Sequence, residues 1–425
     1  MNIICNRDIL NEAVTPALYA VSSKNTVQAL DGFLLIADKD SGVLTICGYD
    51  LEKGIKVTVS GDGIQIKDGG KIILNAVKFS SIIKNLPEGD VLIETDENFS
   101  VNIRSRKSEF IIHGLDGETF PLMPELKGEQ NFSISRKILK NIIVSTLFAV
   151  ATNNSRPSLN GALFEIKNNQ INVVGVDGNR LALRRSFEGV SSDTDESSEL
   201  DLNFIIPGKS LSELLKLIGD GDEPAEIELT RKHVIVSFDN IIYFSRLIEN
   251  EFIDYRRTIK NAPHTTIVIN TKSFAESVER ASVVMEDKQK TSVRLNFKKE
   301  EINIENNENA GILQITSASS QGKLCDECDI EIYGEEIEIG FNHRYLLDAL
   351  KSVREEKILL KLESPTKSLV ILPYNKDDNK GDEKEDENGD NKDISDITDV
   401  TDIANTMDIE NSKFLYLVLP VRLRD

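Results

Sequence analysis

The architecture of this chain can be worked out from the stretch Arg7-Asp8-Ile9-Leu10-Asn11-Glu12-Ala13-Val14-Thr15-Pro16-Ala17, whose apolar pattern recurs twice more. Its apolar residues stand at i, i+3, i+4 and i+7, the spacing of a helix with one buried stripe. The same spacing returns after 129 residues and again after a further 135. The three sets are Leu10, Ala13, Val14 and Ala17; Leu139, Ile142, Ile143 and Thr146; Phe274, Ser277, Val278 and Ala281. This period predicts three tandem copies of one unit.

Other elements repeat with a similar period. Gly32-Phe33-Leu34-Leu35, a predicted strand, matches Gly161-Ala162-Leu163-Phe164. A second helix with an apolar stripe follows in each copy, and a strand follows each helix. The stripes are Phe79, Ile82, Ile83 and Leu86; Leu211, Leu214, Leu215 and Ile218; Leu346, Ala349, Leu350 and Val353. Two helices and about eight strands per unit predict an α+β fold with antiparallel sheets.

The repeats set the expected domain boundaries. We predict domains at residues 1–125, 126–262 and 263–425, and equal units in tandem suggest an arc that closes into a ring by association. Residues 376–410 hold 14 acidic residues and four lysines, a net charge of −10. We expect about 375–411 to be a disordered loop, and Ser191–Glu199 to be a smaller one, because such segments bury too little apolar area.

Composition narrows the class of protein. The net charge is −21, which leaves −11 outside the acidic segment, so any basic surface is expected on one face only. No stretch approaches a membrane span, and Met1-Asn2-Ile3-Ile4-Cys5 does not begin a secretory signal. Four cysteines are too few for a disulfide scaffold. A cytoplasmic protein without membrane contact is expected.

The sequence is compared with three other classes of site or protein by the residues that each class requires. Cys325-Asp326-Glu327-Cys328 has the spacing of a zinc half-site, but a strand would point the two cysteines to opposite faces. A polymerase or nuclease needs clustered carboxylates that hold two metal ions, and no motif marks such a cluster. A repeat scaffold without a DNA role fits the acidic charge well. We expect no catalytic residue, cofactor or metal.

Five short motifs, in this order along the chain, resemble those of the bacterial DNA sliding clamps, the DNA polymerase III beta subunits. They are Leu159-Asn160-Gly161-Ala162-Leu163-Phe164-Glu165, Val176-Asp177-Gly178-Asn179-Arg180-Leu181-Ala182, Phe252-Ile253-Asp254-Tyr255-Arg256-Arg257, Ile339-Gly340-Phe341-Asn342 and Leu419-Pro420-Val421-Arg422-Leu423. The resemblance covers the chain except its acidic insertion. It implies the DNA clamp fold, closed as a head-to-tail homodimeric ring, and a non-catalytic processivity factor that slides on duplex DNA.

The resemblance also implies partners and sites. Partners would be duplex DNA of any sequence, a second copy, the replicative polymerase alpha subunit, the clamp loader delta subunit, and other polymerases and repair proteins that bind through short peptides. Basic residues at the helix starts, together with two in the turn after the first helix of a repeat, would contact DNA phosphates. These are Arg7, Lys24, Lys78, Arg136, Arg156, Lys209, Lys272 and Arg344.

Two further surfaces are implied. The partner-peptide pocket would be formed by Leu159, Val176, Gly178, Asn179, Arg180, Leu181, Ile253, Arg257, Thr258, Tyr345, Thr366, Ser368, Val418, Leu419, Pro420, Val421 and Arg422. The dimer interface would join a basic edge with an apolar centre to an acidic edge, since opposite charges fix the orientation of paired strands. These edges are Arg104, Arg106, Lys107 and Phe110 on one side, and Val283, Val284, Asp326, Glu327 and Asp329 on the other.

Overall fold

A computed structural model of the chain describes most of its 425 residues. The described ranges are 1–21, 27–124, 128–167, 169–187, 189–191, 200–259, 263–285, 292–300, 309–320, 322–374 and 412–423. The predicted disordered loop at about 375–411 lies outside them, as do residues 192–199 of the smaller acidic loop.

Six of the seven helices in the described ranges are the two predicted for each repeat. The helices are α1 Arg7–Ala17, α2 Ala76–Asn85, α3 Arg136–Leu147, α4 Gly208–Leu217, α5 Arg256–Ile259, α6 Thr271–Val283 and α7 His343–Lys351. The short α5 was not predicted. All twelve stripe positions of the first helices α1, α3 and α6 are buried, as predicted. Full burial of each large aliphatic side chain contributes about 1.5–3 kcal/mol.

Asparagine begins four of these helices. The side chains of Asn6, Asn75, Asn270 and Asn342 each accept a hydrogen bond from a backbone N–H in the first turn. A side-chain cap satisfies one of the backbone donors that a helix start leaves without a partner. The sequence therefore fixes where α1, α2, α6 and α7 begin.

Three sheets contain the strands, and all their strand pairings are antiparallel, which confirms the predicted fold class. The five-stranded sheet has the order β5 Ile64–Asp68, β1 Asn2–Asn6, β7 Asp90–Thr95, β8 Ser100–Ser105 and β9 Ser108–His113. The ten-stranded sheet has the order β10 Leu115–Asp116, β6 Gly70–Asn75, β2 Gly32–Asp38, β3 Val43–Tyr49, β4 Lys53–Val59, β19 Ile241–Arg246, β18 His233–Phe238, β17 Pro224–Leu229, β11 Gln130–Ser135 and β15 Val190–Ser191.

The twelve-stranded sheet contains strands of the second and third repeats. Its order is β16 Asp201–Pro207, β12 Gly161–Lys167, β13 Gln170–Val176, β14 Arg180–Ser186, β27 Phe414–Val418, β26 Leu369–Pro373, β25 Lys357–Leu362, β20 Thr265–Asn270, β23 Gly322–Gly334, β22 Ala310–Ser319, β21 Val293–Lys299 and β24 Ile337–Phe341.

The chain forms two compact units. The first comprises Met1–Lys140, Gly189–Leu200 and Lys209–Glu249, and it holds the five-stranded and ten-stranded sheets. The second comprises Asn141–Glu188, Asp201–Gly208 and Asn250–Asp425, and it holds the twelve-stranded sheet. In the first unit β4 pairs with β19, and in the second β14 pairs with β27, so successive repeats are joined by a shared sheet.

Candidate functional site

The last described segment, residues 419–423, leaves β27 and lies between two parts of the second unit. The Leu419 N–H donates to the Asn179 carbonyl at 2.8 Å, and the Val421 N–H donates to the Gly340 carbonyl at 2.8 Å. Leu419 and Val421 are nonetheless 41% and 37% exposed. Apolar side chains held outward on an anchored backbone are suited to contact a hydrophobic peptide.

A tight turn between β13 and β14 forms one side of this site. The Asp177 carboxylate accepts hydrogen bonds from the backbone N–H groups of Asn179, at 2.9 Å, and Arg180, at 3.1 Å. Gly178 has φ +93°, which glycine adopts at no steric cost. The turn thereby presents the Asn179 carbonyl to Leu419.

Arg180 lies beside this turn and contacts both charged and aromatic side chains. Its guanidinium pairs with Asp177 at 2.9 Å and with Asp348 of α7 at 2.6 Å. It also lies 4.6 Å from the ring centre of Tyr345 and 5.3 Å from that of Phe148. A planar cation between two rings and two carboxylates is held in one position. Arg180 therefore acts as an internal support for the site.

The predicted pocket residues differ in exposure. Leu159, Val176, Leu181, Ser368 and Val418 are buried within the chain. Val418 belongs to the same apolar cluster as Ala182 and Leu369, and Tyr345 packs against it. Leu159, Leu181 and Val418 thus form part of the core, whereas Gly178, Asn179, Thr366 and Arg422 are exposed and Pro420 is half-buried.

The segment with Ile253, Arg257 and Thr258 has its own local contacts. Arg257 pairs with Asp254 at 2.8 Å, and the neighbouring Tyr255 hydroxyl donates to Glu165 of β12 at 2.6 Å. Burial raises the pKa of Tyr255, so this hydroxyl stays protonated and remains a donor. These described contacts attach the segment to β12 and not to residues 419–423.

Most of the predicted DNA-contacting residues lie at helix starts. Arg7 and Lys272 are in the first turns of α1 and α6, and Lys78, Lys209 and Arg344 in those of α2, α4 and α7. Lys78, Lys209, Lys272 and Arg344 are exposed, as is Arg156, which precedes a short 3₁₀ helix, Pro157–Asn160. Lys24 lies outside the described residues.

Arg136 differs from the other predicted DNA-contacting residues in its burial and its ion pairs. It begins α3 as predicted, but it is only 8% exposed, and its guanidinium pairs with Glu223 at 2.7 Å and Asp239 at 2.8 Å. A phosphate contact would require breaking both ion pairs. Arg136 therefore stabilises its unit through these ion pairs, and its contact with DNA stays a prediction from sequence.

Each of the two predicted dimer surfaces includes a strand edge that pairs with no further strand in the described part of the chain. β9, with Phe110, is the last strand of the five-stranded sheet. On β23, residues 330–334 pair with β20, whereas 322–329, which include Asp326, Glu327 and Asp329, pair only with β22 among the described strands. Exposed apolar side chains accompany both edges, Phe110 and Ile111 on β9 and Val283 at the end of α6.

Charges at these edges already have partners within the chain. Arg104 pairs with Glu109 at 3.0 Å and Glu94 at 3.4 Å, and Asp326 pairs with Arg280 at 2.6 Å. Arg106, at φ +52°, and Lys107 form the turn between β8 and β9. The sequence did not mark Ile111, Phe148 or Asp348, and it placed Gly340 in a family motif without assigning it a role. The helical spacing of Asp348 from Tyr345, three residues apart, was the available signal for that carboxylate.

The cysteines fit the strand interpretation. On β23, Cys325 is exposed and Cys328 is buried, with its sulfur 3.2 Å from the Ser277 hydroxyl. Within the described ranges, no group of three or more His, Cys, Asp or Glu side chains could hold a metal ion. No helix in the described part of the chain is long and apolar enough to cross a membrane.

The described part of the chain combines three features: tandem two-helix units joined by antiparallel sheets, unpaired strand edges on the first and third repeats, and basic residues in the first turns of the helices. Together they define the class of DNA clamps. Comparison with known proteins then gives the family. The N-terminal, central and C-terminal domains of the DNA polymerase III beta subunit match residues 1–124, 133–254 and 256–383. The chain belongs to the DNA polymerase III beta subunit family.

Similar proteins agree with this assignment. The beta sliding clamp of Bacillus subtilis is 32% identical over 88% of this chain and 96% of its own length, and that of Halalkalibacterium halodurans is 31% identical over 89% and 97%. The crystal structure of the DNA polymerase sliding clamp from Bacillus subtilis has a TM-score of 0.84 at 29% identity and covers 100% of both chains. The chain is a processivity clamp of DNA polymerase III and is not itself an enzyme.

Proposed function

We propose that two copies of the chain join head to tail and close a cytoplasmic ring around duplex DNA. One observation supports this proposal: equivalent strands pair at both junctions between successive repeats. The fourth strand of repeat one, β4, pairs with the last strand of repeat two, β19. Likewise β14 of repeat two pairs with β27 of repeat three. The two strands left over are β23 of repeat three and β9 of repeat one, and each has an open edge, one that pairs with no other described strand.

A second copy supplies the missing partner for each open edge. β9 of one copy pairs with residues 322–329 of the other, and the same contact forms twice, so the assembly closes as a ring. Phe110, Ile111 and Val283 lose their exposure in that contact, which supplies apolar burial at its centre. Arg106 and Lys107 face the acidic side chains of Glu327 and Asp329, which favours this orientation.

The basic first turns are proposed to contact DNA inside the ring. Arg7, Lys78, Arg156, Lys209, Lys272 and Arg344 form this set, and Lys24 stays a prediction from sequence alone. Sequence-independent phosphate contacts allow sliding, because no base has to be released for the protein to move. Salt should therefore weaken the hold of the protein on DNA.

The segment 419–423 with the Asn179 turn is proposed to bind partner peptides. The replicative polymerase alpha subunit, the clamp loader delta subunit, and other polymerases and repair proteins would compete for it. Leu419 and Val421 supply apolar contacts, and Asn179, Thr366 and Arg422 supply a polar rim. Replacing Val421, Arg422 and Leu423 together with alanine should abolish polymerase binding while the dimer persists.

The ring is tested by mass under native conditions. The wild-type chain of 47.4 kDa should give a particle of twice that mass. Ile111→Asp should give the monomer mass, since a charge would be buried at the centre of the edge. Val77→Asp is the matched control, because Val77 on α2 is 65% exposed and Ile111 is 66% exposed. A monomeric wild type, or a dimer that persists in Ile111→Asp, would contradict the proposal.

A further inference from the structure

Gly340 lies directly beneath the C-terminal segment. Its carbonyl accepts the Val421 N–H at 2.8 Å. A Cβ built at residue 340 would lie 2.5 Å from Leu423 Cδ2 and 3.0 Å from the Val421 carbonyl oxygen. Real Cβ atoms essentially never approach another heavy atom to a separation under 3.0 Å. A side chain at this position would therefore displace the tip of the Leu423 side chain and press on the Val421 carbonyl, a backbone atom of the segment that carries Leu419 and Val421.

The other two repeats have a large residue at the corresponding position. Gly340 stands two residues before Asn342, which immediately precedes α7. Two residues before the corresponding position Asn75, ahead of α2, stands Ile73, and two residues before Pro207, ahead of α4, stands Ile205. Both isoleucines are buried. Glycine in a strand interior weakens the strand, so the third repeat departs from the pattern at a cost in stability.

In the first repeat a chain segment also passes close to the strand before the second helix, but there the glycine lies on the passing segment. There the chain also leaves the last strand of the repeat and runs beside the strand that precedes the second helix, where Leu115 of β10 pairs with Ile73 of β6. The glycine is on the departing segment instead. A Cβ at Gly114 would lie 2.8 Å from Ile72 Cδ1. In both the first and the third repeat, therefore, one of the two closely approaching segments has a glycine at the contact.

We infer that Gly340 is a positioning residue for the partner-binding segment. Because residue 340 has no side chain, residues 419–423 can cross β24 with their own side chains in place, and the Leu423 side chain packs against residue 340. Leu419 and Val421 are then held outward at fixed positions. This inference rests on the proposed role of the segment in binding partners, and it adds the residue that sets the path of the segment.

The first test uses the free protein and needs no partner. Amide hydrogen exchange, followed by mass spectrometry of peptides covering 412–423, reports the Val421–Gly340 hydrogen bond. Gly340→Ala should exchange at least tenfold faster in this segment than the wild type. Gly219→Ala is the control, since a Cβ there meets nothing within 4 Å. In this variant residues 412–423 should exchange at the wild-type rate. Equal exchange in Gly340→Ala and wild type would overturn the inference.

The second test measures binding to the immobilised replicative polymerase alpha subunit of the same organism. Gly340→Ala should bind at least tenfold more weakly than the wild type, with an unchanged native mass. Leu423→Ala should weaken binding in the wild-type background but not in Gly340→Ala, because truncation also removes the nearest obstacle. Independent, additive losses would overturn the inference. If the wild type fails to bind while the exchange difference is present, the partner role fails and the positioning role of Gly340 stands.

Discussion

The first and second units each contain a junction between repeats, and the two junctions share one plan. At the first, the Asp50 carboxylate accepts hydrogen bonds from the N–H groups of Glu52, at 3.1 Å, and Lys53, at 2.9 Å. At the second, Asp177 does the same for Asn179 and Arg180. The Arg246 N–H donates to the Glu52 carbonyl at 2.7 Å, as Leu419 does to Asn179.

A buried cation links the turn to the next second helix in both places. Lys53 pairs with Glu213 of α4 and also donates to the Tyr19 carbonyl at 3.2 Å, whereas Arg180 pairs with Asp348 of α7. Lysine is a compact point charge, and the Lys53 ammonium also lies 3.6 Å from the Asp50 carboxylate. Arginine is planar and leaves two faces for aromatic rings.

The difference lies in what surrounds the cation. The residue three before the acidic partner is Ser210 at the first junction and Tyr345 at the second. Pairing with β4 ends at Ser245 and pairing with β14 ends at Val418, so the next residue is Arg246 at the first junction and Leu419 at the second. The two junctions thus share one backbone arrangement. Polar residues surround the cation at the first junction, and aromatic and apolar residues surround it at the second. This difference is why we assign partner binding to the second junction.

Lys53→Ala should give the largest effect. It would leave Glu213 buried without its partner, which costs about 3–5 kcal/mol of unfolding free energy. Urea denaturation followed by circular dichroism measures the loss. The double variant Lys53→Met/Glu213→Leu is the control, since it removes both charges and should recover most of the stability. A loss below about 1 kcal/mol would mean that the pair behaves as a surface ion pair.

Leu419→Arg makes the second junction resemble the first. Loss of an apolar anchor should weaken alpha-subunit binding by about 2 kcal/mol, or roughly thirtyfold. Surface plasmon resonance measures the affinity, and the melting temperature should stay within about 2 °C because the side chain is partly exposed. The reverse variant Arg246→Leu serves as the control and should not change the affinity. Unaltered binding by Leu419→Arg would remove this residue from the site.

Arg180→Lys tests the planar cation. Lysine keeps the charge but loses the ring contacts and one of the two ion pairs, which should cost about 1–1.5 kcal/mol in partner affinity, close to tenfold. Titration with labelled alpha subunit measures this. Asp348→Asn should weaken binding in the same direction, as it loosens the same guanidinium. An unchanged affinity in both variants would show that Arg180 does not support the site.

The smallest effect concerns pH at the first junction. Burial raises the pKa of Glu213 above its ordinary value of 4.5, partly offset by Lys53. The folded chain therefore holds this proton more tightly than the unfolded chain. Stability should fall as pH rises from 4.5 through the raised pKa and then level off. Glu213→Gln should lack this slope in urea titrations at successive pH values, and an identical slope in both proteins would contradict the assignment.

The elements of local origin could be predicted from the sequence. The apolar stripes of α1, α3 and α6 depend only on spacing within one helix, and the strand at Gly32 follows from composition and repeat. The threefold repeat also indicated the antiparallel α+β class before any contact was known. The boundaries at 125 and 262 stay predictions.

Properties that depend on distant residues could not be predicted. A cation at a helix start has the same sequence pattern whether it faces solvent or, like Arg136, two carboxylates 87 and 103 residues away. Leu181 and Val418 form part of the core because β14 and β27 pair across more than two hundred residues. The importance of Gly340 depends on a segment that crosses it from the far end of the sequence.

Retention on DNA tests the central claim most directly. The labelled protein, placed by its clamp loader on a nicked circular duplex and separated from free protein by gel filtration, should stay with the circle. One restriction cut should release it within minutes, whereas a cut circle whose ends are blocked by bound proteins should keep it. Retention on the open linear form, or no loading on the circle, would contradict a ring that encircles DNA.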